Sequence, residues 1–355
     1  MNIGVFSKMN MAGGSEFRCA EMCSGISKHT EHNSFLFSEG NIPDRIKNFL
    51  SPGVTVYEST FLPEPKNLEK LYDMDALLVV NTDSKDFTTL DYWTGKSQRH
   101  GVTKFNMEKM NQMIFLFNFI VSPSRHLGGI YKYNENLKII TANRKFFLEI
   151  GSQDRYENVR HIPRMQLNSP IDSSRYELPK TGSDKIRIGH HSKGLSNKWN
   201  KDWPKLIKEC NKRFANKIYF DFMGMPKDIA RKIKDIENVK VRKEDEISVP
   251  EYLRGIDIYC FFLDYKREEP WARCTAEAMV SGCPIITTAR GGNPDQVTQG
   301  NNGFLCKDTK SFFEKIVYLV EHGEIMNKMS KNARLSSRNF STKRVIEKFT
   351  DYIGV

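Results

Sequence analysis

Short apolar runs alternate with longer amphipathic segments along most of the chain. Residues 3–6 form an apolar run of strand length. From about Ser15, buried-type residues then recur at intervals of three and four, as on one face of a helix. Further strand-like runs lie at residues 34–37, 54–57, 76–80, 119–122 and 138–141. This alternation predicts a parallel sheet covered by helices.

A second alternating set begins near residue 185. We predict strands at 186–189, 218–223, 239–241, 256–263 and 284–288, and helices at 202–214, 226–236, 249–254, 275–281, 309–321, 325–338 and 342–353. Between residues 163 and 183 the pattern stops and Pro, Ser and Asp are frequent, which is typical of a linker.

The fold class predicted from this pattern is α/β, with two Rossmann-like, doubly wound domains facing across a cleft. The predicted domains are residues 1–165 and 185–340, joined by a linker of 166–184. Residues 341–355 are predicted to form a helix that packs back toward the first domain. Ligands of such sheets bind beyond the carboxyl ends of the strands, so we expect a site there.

Composition restricts the class of protein. The chain has 355 residues, of which 39% are hydrophobic and 27% are charged, as in a globular protein of two domains. The longest apolar run, residues 113–121, is shorter than the roughly 18–20 residues of a membrane span, and we expect no signal peptide. Seven cysteines without a Cys-x-x-Cys motif suit a reducing compartment, so we expect a cytoplasmic protein.

Positive charge is concentrated in one segment. The net charge is +11, and residues 185–243 contain 17 Lys and Arg against 6 Asp and Glu. Such a segment favours a polyanionic partner, although a solvated lysine-rich face would look the same.

The segment from Glu269 to Glu277 holds the strongest candidate chemistry. It follows an apolar strand and leads into a helix that starts near Thr275. The free N–H groups at a helix N-terminus can bind a diphosphate, and two carboxylates eight positions apart can bind a ribose and a sugar.

This segment resembles the Glu-x7-Glu signature of retaining glycosyltransferases of the GT-B fold, in particular family 4. The run from Glu277 through Pro284 and the later Gly291-Gly292 are similar to that family's pattern, with Asp295 in place of the usual Glu. The resemblance implies that Glu277 binds the nucleotide ribose. It also implies that Glu269 and the amides of 272–275, including Arg273, Cys274 and Thr275, bind the donor sugar and phosphates.

Two other segments complete the predicted donor site. Gly13 and Gly14 lie in the turn between the first strand and helix, where glycines allow a close backbone approach to a ligand. This turn is similar to the family's Gly-Gly-x-Glu loop. The strand at 186–189 is followed in the family by an Arg and a Lys that bind the diphosphate. Here His190 stands at the Arg position, Ser192 could add a hydrogen bond, Lys198 is the candidate Lys, and Arg242 is a further donor-site candidate.

No catalytic base is evident from the motifs. Asp91 and His100 are candidates from the first domain, and Glu269 is assigned to the reacting centre with them. The Asp73-Met-Asp75 sequence precedes a strand instead of ending one, so we interpret it as structural and expect no essential metal. We expect no cofactor. The co-substrate is a nucleotide sugar, preferably a UDP-sugar.

Several classes of acceptor are compatible with the sequence. Residues 101–105 and 188–199 resemble segments of the DNA glycosyltransferases of T-even-like bacteriophages. Together with the basic segment, this resemblance makes 5-hydroxymethylcytosine in DNA the preferred acceptor. A phage enzyme would work in the host cytoplasm. The residues assigned to DNA are Tyr92, Trp93, Arg99, Arg125, Lys212, Arg213, Arg231 and Lys232. The alternatives are a lipid-linked or lipopolysaccharide acceptor at an anionic membrane, a small soluble acceptor, and a non-catalytic sugar-nucleotide-binding protein.

Overall fold

A computed structural model describes residues 1–7, 13–38, 40–58, 65–80, 110–117 and 135–355. The chain divides into two compact units. The first consists of Met1–Pro170 together with Thr342–Val355, and the second of Ile171–Ser341. The change from one unit to the next at residue 170 falls within the segment predicted as a linker.

The first unit is a seven-stranded parallel sheet with the strand order β3-β2-β1-β4-β5-β6-β7. Its strands are β1 (Asn2–Ser7), β2 (Asn33–Ser38), β3 (Val54–Glu58), β4 (Ala76–Val80), β5 (Met113–Phe117), β6 (Leu137–Thr141) and β7 (Arg164–Gln166). Its helices are α1 (Gly14–His29), α2 (Asp44–Lys47), α3 (Pro65–Tyr72) and α4 (Arg144–Ser152). The strand predicted at 119–122 lies outside the described residues.

The central strands of this sheet are apolar throughout because helices cover both faces of a parallel sheet. Every residue of β4 and β5 is buried. The last helix of the chain, numbered α12 below, belongs to this unit and packs on α1. Gly25 allows this approach, because a Cβ atom there would lie 2.6 Å from side-chain atoms of Ile346 and Thr342.

The second unit is a six-stranded parallel sheet with the order β10-β9-β8-β11-β12-β13. The strands are β8 (Ile186–His191), β9 (Ile218–Met223), β10 (Val239–Arg242), β11 (Ile258–Phe261), β12 (Ile285–Thr288) and β13 (Gly303–Cys306). The helices are α5 (Trp203–Phe214), α6 (Lys227–Ile233), α7 (Val249–Arg254), α8 (Arg273–Val280), α9 (Asn293–Gln296), α10 (Thr309–Glu321) and α11 (Gly323–Ser337), and α12 (Thr342–Ile353) follows in the first unit.

The second unit differs from the prediction in three features. Strand β13 and the short helix α9 were not predicted. The segment from Ile171 to Tyr176, predicted as linker, is part of the folded unit, with both of these side chains buried. The two sheets confirm the α/β class with two Rossmann-like units. Among the described residues, no helix is both long enough and apolar enough to cross a membrane.

Candidate functional site

The centre of the second sheet brings several of the predicted donor residues together. Strands β8 and β11 are adjacent and parallel, so the segments that follow them leave the sheet at the same edge. The segment after β11 leads into α8, whose first residue is Arg273. Helix α8 has no side-chain cap, and its first intrahelical hydrogen bond runs from the Ala276 N–H to the Ala272 carbonyl. The three preceding N–H groups have no intrahelical partner, which favours an anion at this end.

Glu277 lies one turn into α8 and is held by three side chains. Its Oε1 accepts hydrogen bonds from the Tyr176 hydroxyl and from Arg273 Nε, both at 2.8 Å. Its Oε2 lies 3.1 Å from His191 Nε2. Because these groups fix both oxygens, the carboxylate has one orientation at the edge of the sheet.

The same contacts keep Glu277 ionised although it is buried. Burial alone would raise the pKa of the Glu277 carboxyl. The positive charge of Arg273 and the hydrogen bonds from His191 and Tyr176 outweigh that effect, and they lower the pKa to about 2. The Glu277 carboxylate is therefore charged at physiological pH and can accept hydrogen bonds from hydroxyl groups.

Glu269, the other carboxylate of the motif, is also buried and paired. Its Oε1 lies 3.1 Å from Lys198 Nζ and 3.1 Å from Arg267 Nη2. The backbone of Glu269 is fixed as well, because its carbonyl accepts a hydrogen bond of 2.8 Å from the Gly292 N–H. Gly291 has a φ of +59°, and a Cβ atom there would lie 2.2 Å from the Glu269 carbonyl oxygen, so this contact requires glycine.

Cys274 and Thr275 lie between the two carboxylates in the first turn of α8. Burial raises the pKa of the Cys274 thiol to about 12, against the opposing effects of Lys198 and Tyr259. It is therefore protonated and not nucleophilic. The Thr275 hydroxyl is fully buried and has no hydrogen-bond partner among the described residues.

His190 is not part of this cluster, which corrects the prediction. It is fully buried and stacks on Trp199 with ring centroids 4.0 Å apart, next to Trp203 of α5. Successive side chains of a strand point to opposite faces, so His190 faces the apolar layer and His191 faces Glu277. His191 therefore stands where the sequence analysis placed His190.

The other donor-site candidates are more dispersed. Gly13 is the residue before α1 of the first unit and Gly14 is the first residue of that helix. Ser192 is half-buried immediately after β8. Arg242, at the end of edge strand β10, makes two hydrogen bonds of 2.9 Å to Asp221. This pairing with Asp221 accounts for Arg242 without a ligand.

The candidates for DNA contact and for the base fall into two groups. Four of them are exposed on helices of the second unit: these are Lys212, Arg213, Arg231 and Lys232. Of these, Arg213 forms an ion pair with Glu321, with Nη2 and Oε1 2.6 Å apart. The remaining candidates lie outside the described residues: these are Asp91, His100, Tyr92, Trp93, Arg99 and Arg125.

The described residues contain no group of three or more His, Cys, Asp or Glu side chains that could hold a metal ion. Asp75 accepts a hydrogen bond of 2.7 Å from the Asn2 N–H, and Asp73 lies 3.6 Å from Lys70. Both carboxylates therefore have structural partners at the start of β4.

Comparison with known proteins identifies the class of the second unit. Residues 200–336 match the family model described as Glycosyl transferases group 1. Spore coat protein SA of Bacillus subtilis is 30% identical over 126 residues, which is 32% of this chain and 33% of that protein. Trehalose synthase of Thermococcus litoralis is 34% identical over 87 residues, or 24% of this chain and 21% of that protein. The chain thus spans a third or less of the curated relatives it matches.

Solved structures extend the likeness to both units. Alr3699/HepE of Anabaena, in complex with UDP and glucose, has a TM-score of 0.71 and 14% identity, covering 99% of each chain. A glycosyltransferase from Rickettsia africae has a TM-score of 0.76 and 13% identity, covering 99% of this chain and 97% of the other. WaaG, a glycosyltransferase involved in lipopolysaccharide biosynthesis, has a TM-score of 0.65 and 12% identity, covering 99% of each chain. The chain has the GT-B fold, as predicted, and its second unit carries a glycosyltransferase group 1 domain.

Three members of the cluster were not predicted: Tyr176, His191 and Arg267. Tyr176 lies in the segment read as linker, where no periodicity marks buried residues. His191 and Arg267 adjoin residues that were predicted, and the signal that could have found His191 is the alternation of faces along β8.

Proposed function

We propose that this chain is a retaining glycosyltransferase that uses a nucleoside diphosphate sugar, preferably a UDP-sugar. The observation that carries the proposal is the pair of buried carboxylates, Glu269 and Glu277, on either side of the uncapped start of α8, each with cationic partners. The group 1 family match over residues 200–336 and the UDP in the Anabaena structure support the same choice of donor.

The site residues then have separate tasks. Glu277 accepts hydrogen bonds from the ribose hydroxyls, and Glu269 accepts one from a hydroxyl of the donor sugar. Lys198 and the N–H groups of Arg273, Cys274 and Thr275 bind the diphosphate. As the bond between the anomeric carbon and the diphosphate oxygen breaks, negative charge develops on the leaving oxygen, and fixed donors at this position lower the barrier.

The acceptor oxygen forms the new bond on the face of the anomeric carbon from which the diphosphate departs. The acceptor proton passes to the departing phosphate oxygen, so the products are the glycoside and the nucleoside diphosphate. This step needs no protein side chain to take the acceptor proton, which agrees with the sequence analysis, where no catalytic base is evident from the motifs.

A panel of UDP-sugars tests the proposal. We expect the purified chain to release UDP from at least one of them, with transfer to an added acceptor seen by mass spectrometry. We expect the same rate in EDTA, because Lys198 and the start of α8 supply the positive charge that a metal would otherwise provide. Release of no UDP from any donor would contradict the proposal, and loss of turnover in EDTA that Mn²⁺ restores would contradict metal independence. Binding without turnover would indicate a non-catalytic binding protein.

For the acceptor, we propose DNA carrying 5-hydroxymethylcytosine. The support is the exposure of the basic side chains on α5 and α6, where Lys212, Arg213, Arg231 and Lys232 lie within the segment of highest positive charge. Protein cations bind DNA phosphates and displace counterions, so such a surface gives affinity that depends steeply on salt.

Charge reversal on this surface separates DNA from a membrane acceptor. Changing Arg231→Glu and Lys232→Glu together should weaken duplex DNA binding and lower the log–log salt slope by about 2, since each neutralised phosphate contributes about 0.9. The matched control reverses Arg344 and Lys348, two exposed residues of α12. Binding is titrated against DNA and against phosphatidylglycerol vesicles in parallel. A parent chain that binds the vesicles and ignores DNA at low salt would contradict the DNA proposal and favour a lipid-linked acceptor.

A further inference from the structure

Two cations converge on a single oxygen of Glu269. Oε1 lies 3.1 Å from Lys198 Nζ, and Arg267 approaches the same oxygen with Nε at 3.2 Å and Nη2 at 3.1 Å. The second oxygen, Oε2, accepts no hydrogen bond from a described residue. The carboxylate side chain is only 8% exposed, whereas Lys198 and Arg267 are 24% and 25% exposed. One buried carboxylate therefore has two partially accessible positive partners.

The two cations reach Glu269 in different ways. Arg267 lies two positions away in the same loop, and its own N–H is hydrogen-bonded to the Asp264 carbonyl at 3.0 Å. It contacts Oε1 with two nitrogens of a planar group, which restricts its orientation. Lys198 comes from the short turn Ser196–Lys198 after β8 and makes a single contact at the end of a flexible stem. Of the two, Lys198 is the cation that can move at low cost.

We propose that Arg267 is a positioning residue that holds Glu269 toward the donor sugar, while Lys198 leaves Glu269 to bind the diphosphate. A diphosphate at the start of α8 competes for a cation, and a buried carboxylate that lost its only cation would be strongly disfavoured. Because Arg267 stays on Oε1, Glu269 remains charged when Lys198 is drawn away. Oε2 then accepts the hydrogen bond from a sugar hydroxyl.

The inference rests on the proposed function, and it predicts a loss of rate in one variant and a loss of UDP affinity in another. In Arg267→Gln, we expect the Kd for UDP to stay within about threefold of the parent, since UDP lacks the donor sugar that would contact Glu269. The transfer rate at saturating donor should fall about 10-fold or more, the effect expected when a hydrogen bond to a charged group is lost. In Lys198→Gln, the Kd for UDP itself should rise about 10-fold or more.

The experiment is a calorimetric titration of UDP combined with initial rates on the UDP-sugar that the parent uses best. Arg267→Lys, which keeps the charge, should recover part of the rate lost in Arg267→Gln. Arg338→Gln, at an exposed position on the same unit, is the matched control and should resemble the parent. Circular dichroism and thermal unfolding check that each variant is folded.

Three results would overturn the inference. The first is an Arg267→Gln variant that loses UDP affinity as Lys198→Gln does, since Arg267 would then be a diphosphate ligand. The second is an Arg267→Gln variant that keeps the parental rate. The third is a Lys198→Gln variant that binds UDP as the parent does. Failure of the proposed function looks different, because the parent itself would then bind no UDP, and the inference would fall with it.

Discussion

Replacing Glu277 with Gln is expected to weaken UDP binding by about 1.5–3 kcal/mol, or roughly 10- to 150-fold in Kd. The variant keeps the shape of the side chain and removes the charge that accepts the ribose hydroxyls. It also leaves Arg273, whose side chain is 10% exposed, without its carboxylate partner. Since breaking a buried ion pair from one side costs about 3–5 kcal/mol, we expect the free energy of unfolding to fall as well.

Two further variants separate the loss of the ligand contact from the loss of stability. Tyr176→Phe removes one hydrogen bond to Glu277 and leaves the charge, so UDP binding should weaken less than in Glu277→Gln. Glu324→Gln, an exposed position in α11, is the matched control. Calorimetry with UDP is the measurement. If a folded Glu277→Gln variant binds UDP as tightly as the parent, the assignment of Glu277 to the ribose is wrong.

The His190→Phe variant is expected to lose less stability than the parent when the pH is lowered. Burial lowers the pKa of His190 well below its ordinary value of about 6.5, assisted by the charges of His191 and Lys198. The imidazole is therefore neutral in the folded state, and neither ring nitrogen has a hydrogen-bond partner among the described residues. In the unfolded chain the same group takes up a proton below pH 6.5.

The sign of the effect follows from the lowered pKa. Stability from the neutral imidazole is fully present above pH 6.5 and is lost as the pH falls toward the folded-state value. Between pH 7.5 and pH 5.0 the parent should lose about 2 kcal/mol more than His190→Phe, from one proton taken up only by the unfolded state. Phe keeps the stacking on Trp199 and has no nitrogen to protonate.

Urea denaturation at several pH values measures this difference. His29→Gln, at an exposed position near the end of α1, is the control and should keep the parental dependence on pH. A His190→Phe variant whose free energy of unfolding falls with acid as steeply as that of the parent would show that His190 is not buried as a neutral group.

The sequence predicted most elements of the second unit because its apolar runs are bounded by clear turn residues. The failures have local causes. Strand β13 begins with Gly303 and directly follows the turn residues Gly300, Asn301 and Asn302, so its three apolar residues do not stand out from that turn. Tyr176 is buried in a segment rich in Pro, Ser and Asp, where neither helical nor strand periodicity exists to mark it.

The residues of the candidate site were likewise predicted only where a sequence motif marks them. Glu269 and Glu277 were found because their spacing belongs to a motif, and the structure places each of them at the start of α8. His190 was selected by its position in the motif, but the pleat of β8 turns it into the apolar layer and presents His191 instead. Arg267 belongs to no motif, and only the folded structure shows that Arg267 and Lys198 contact the same oxygen of Glu269.

A direct titration of the parent chain with UDP tests the central claim, that the start of α8 with Glu269 and Glu277 is a nucleotide-sugar site. The account predicts saturable binding to one site per chain, undiminished in EDTA and weakened in both Glu277→Gln and Lys198→Gln. Absence of binding at millimolar UDP, or binding that neither substitution weakens, would contradict it.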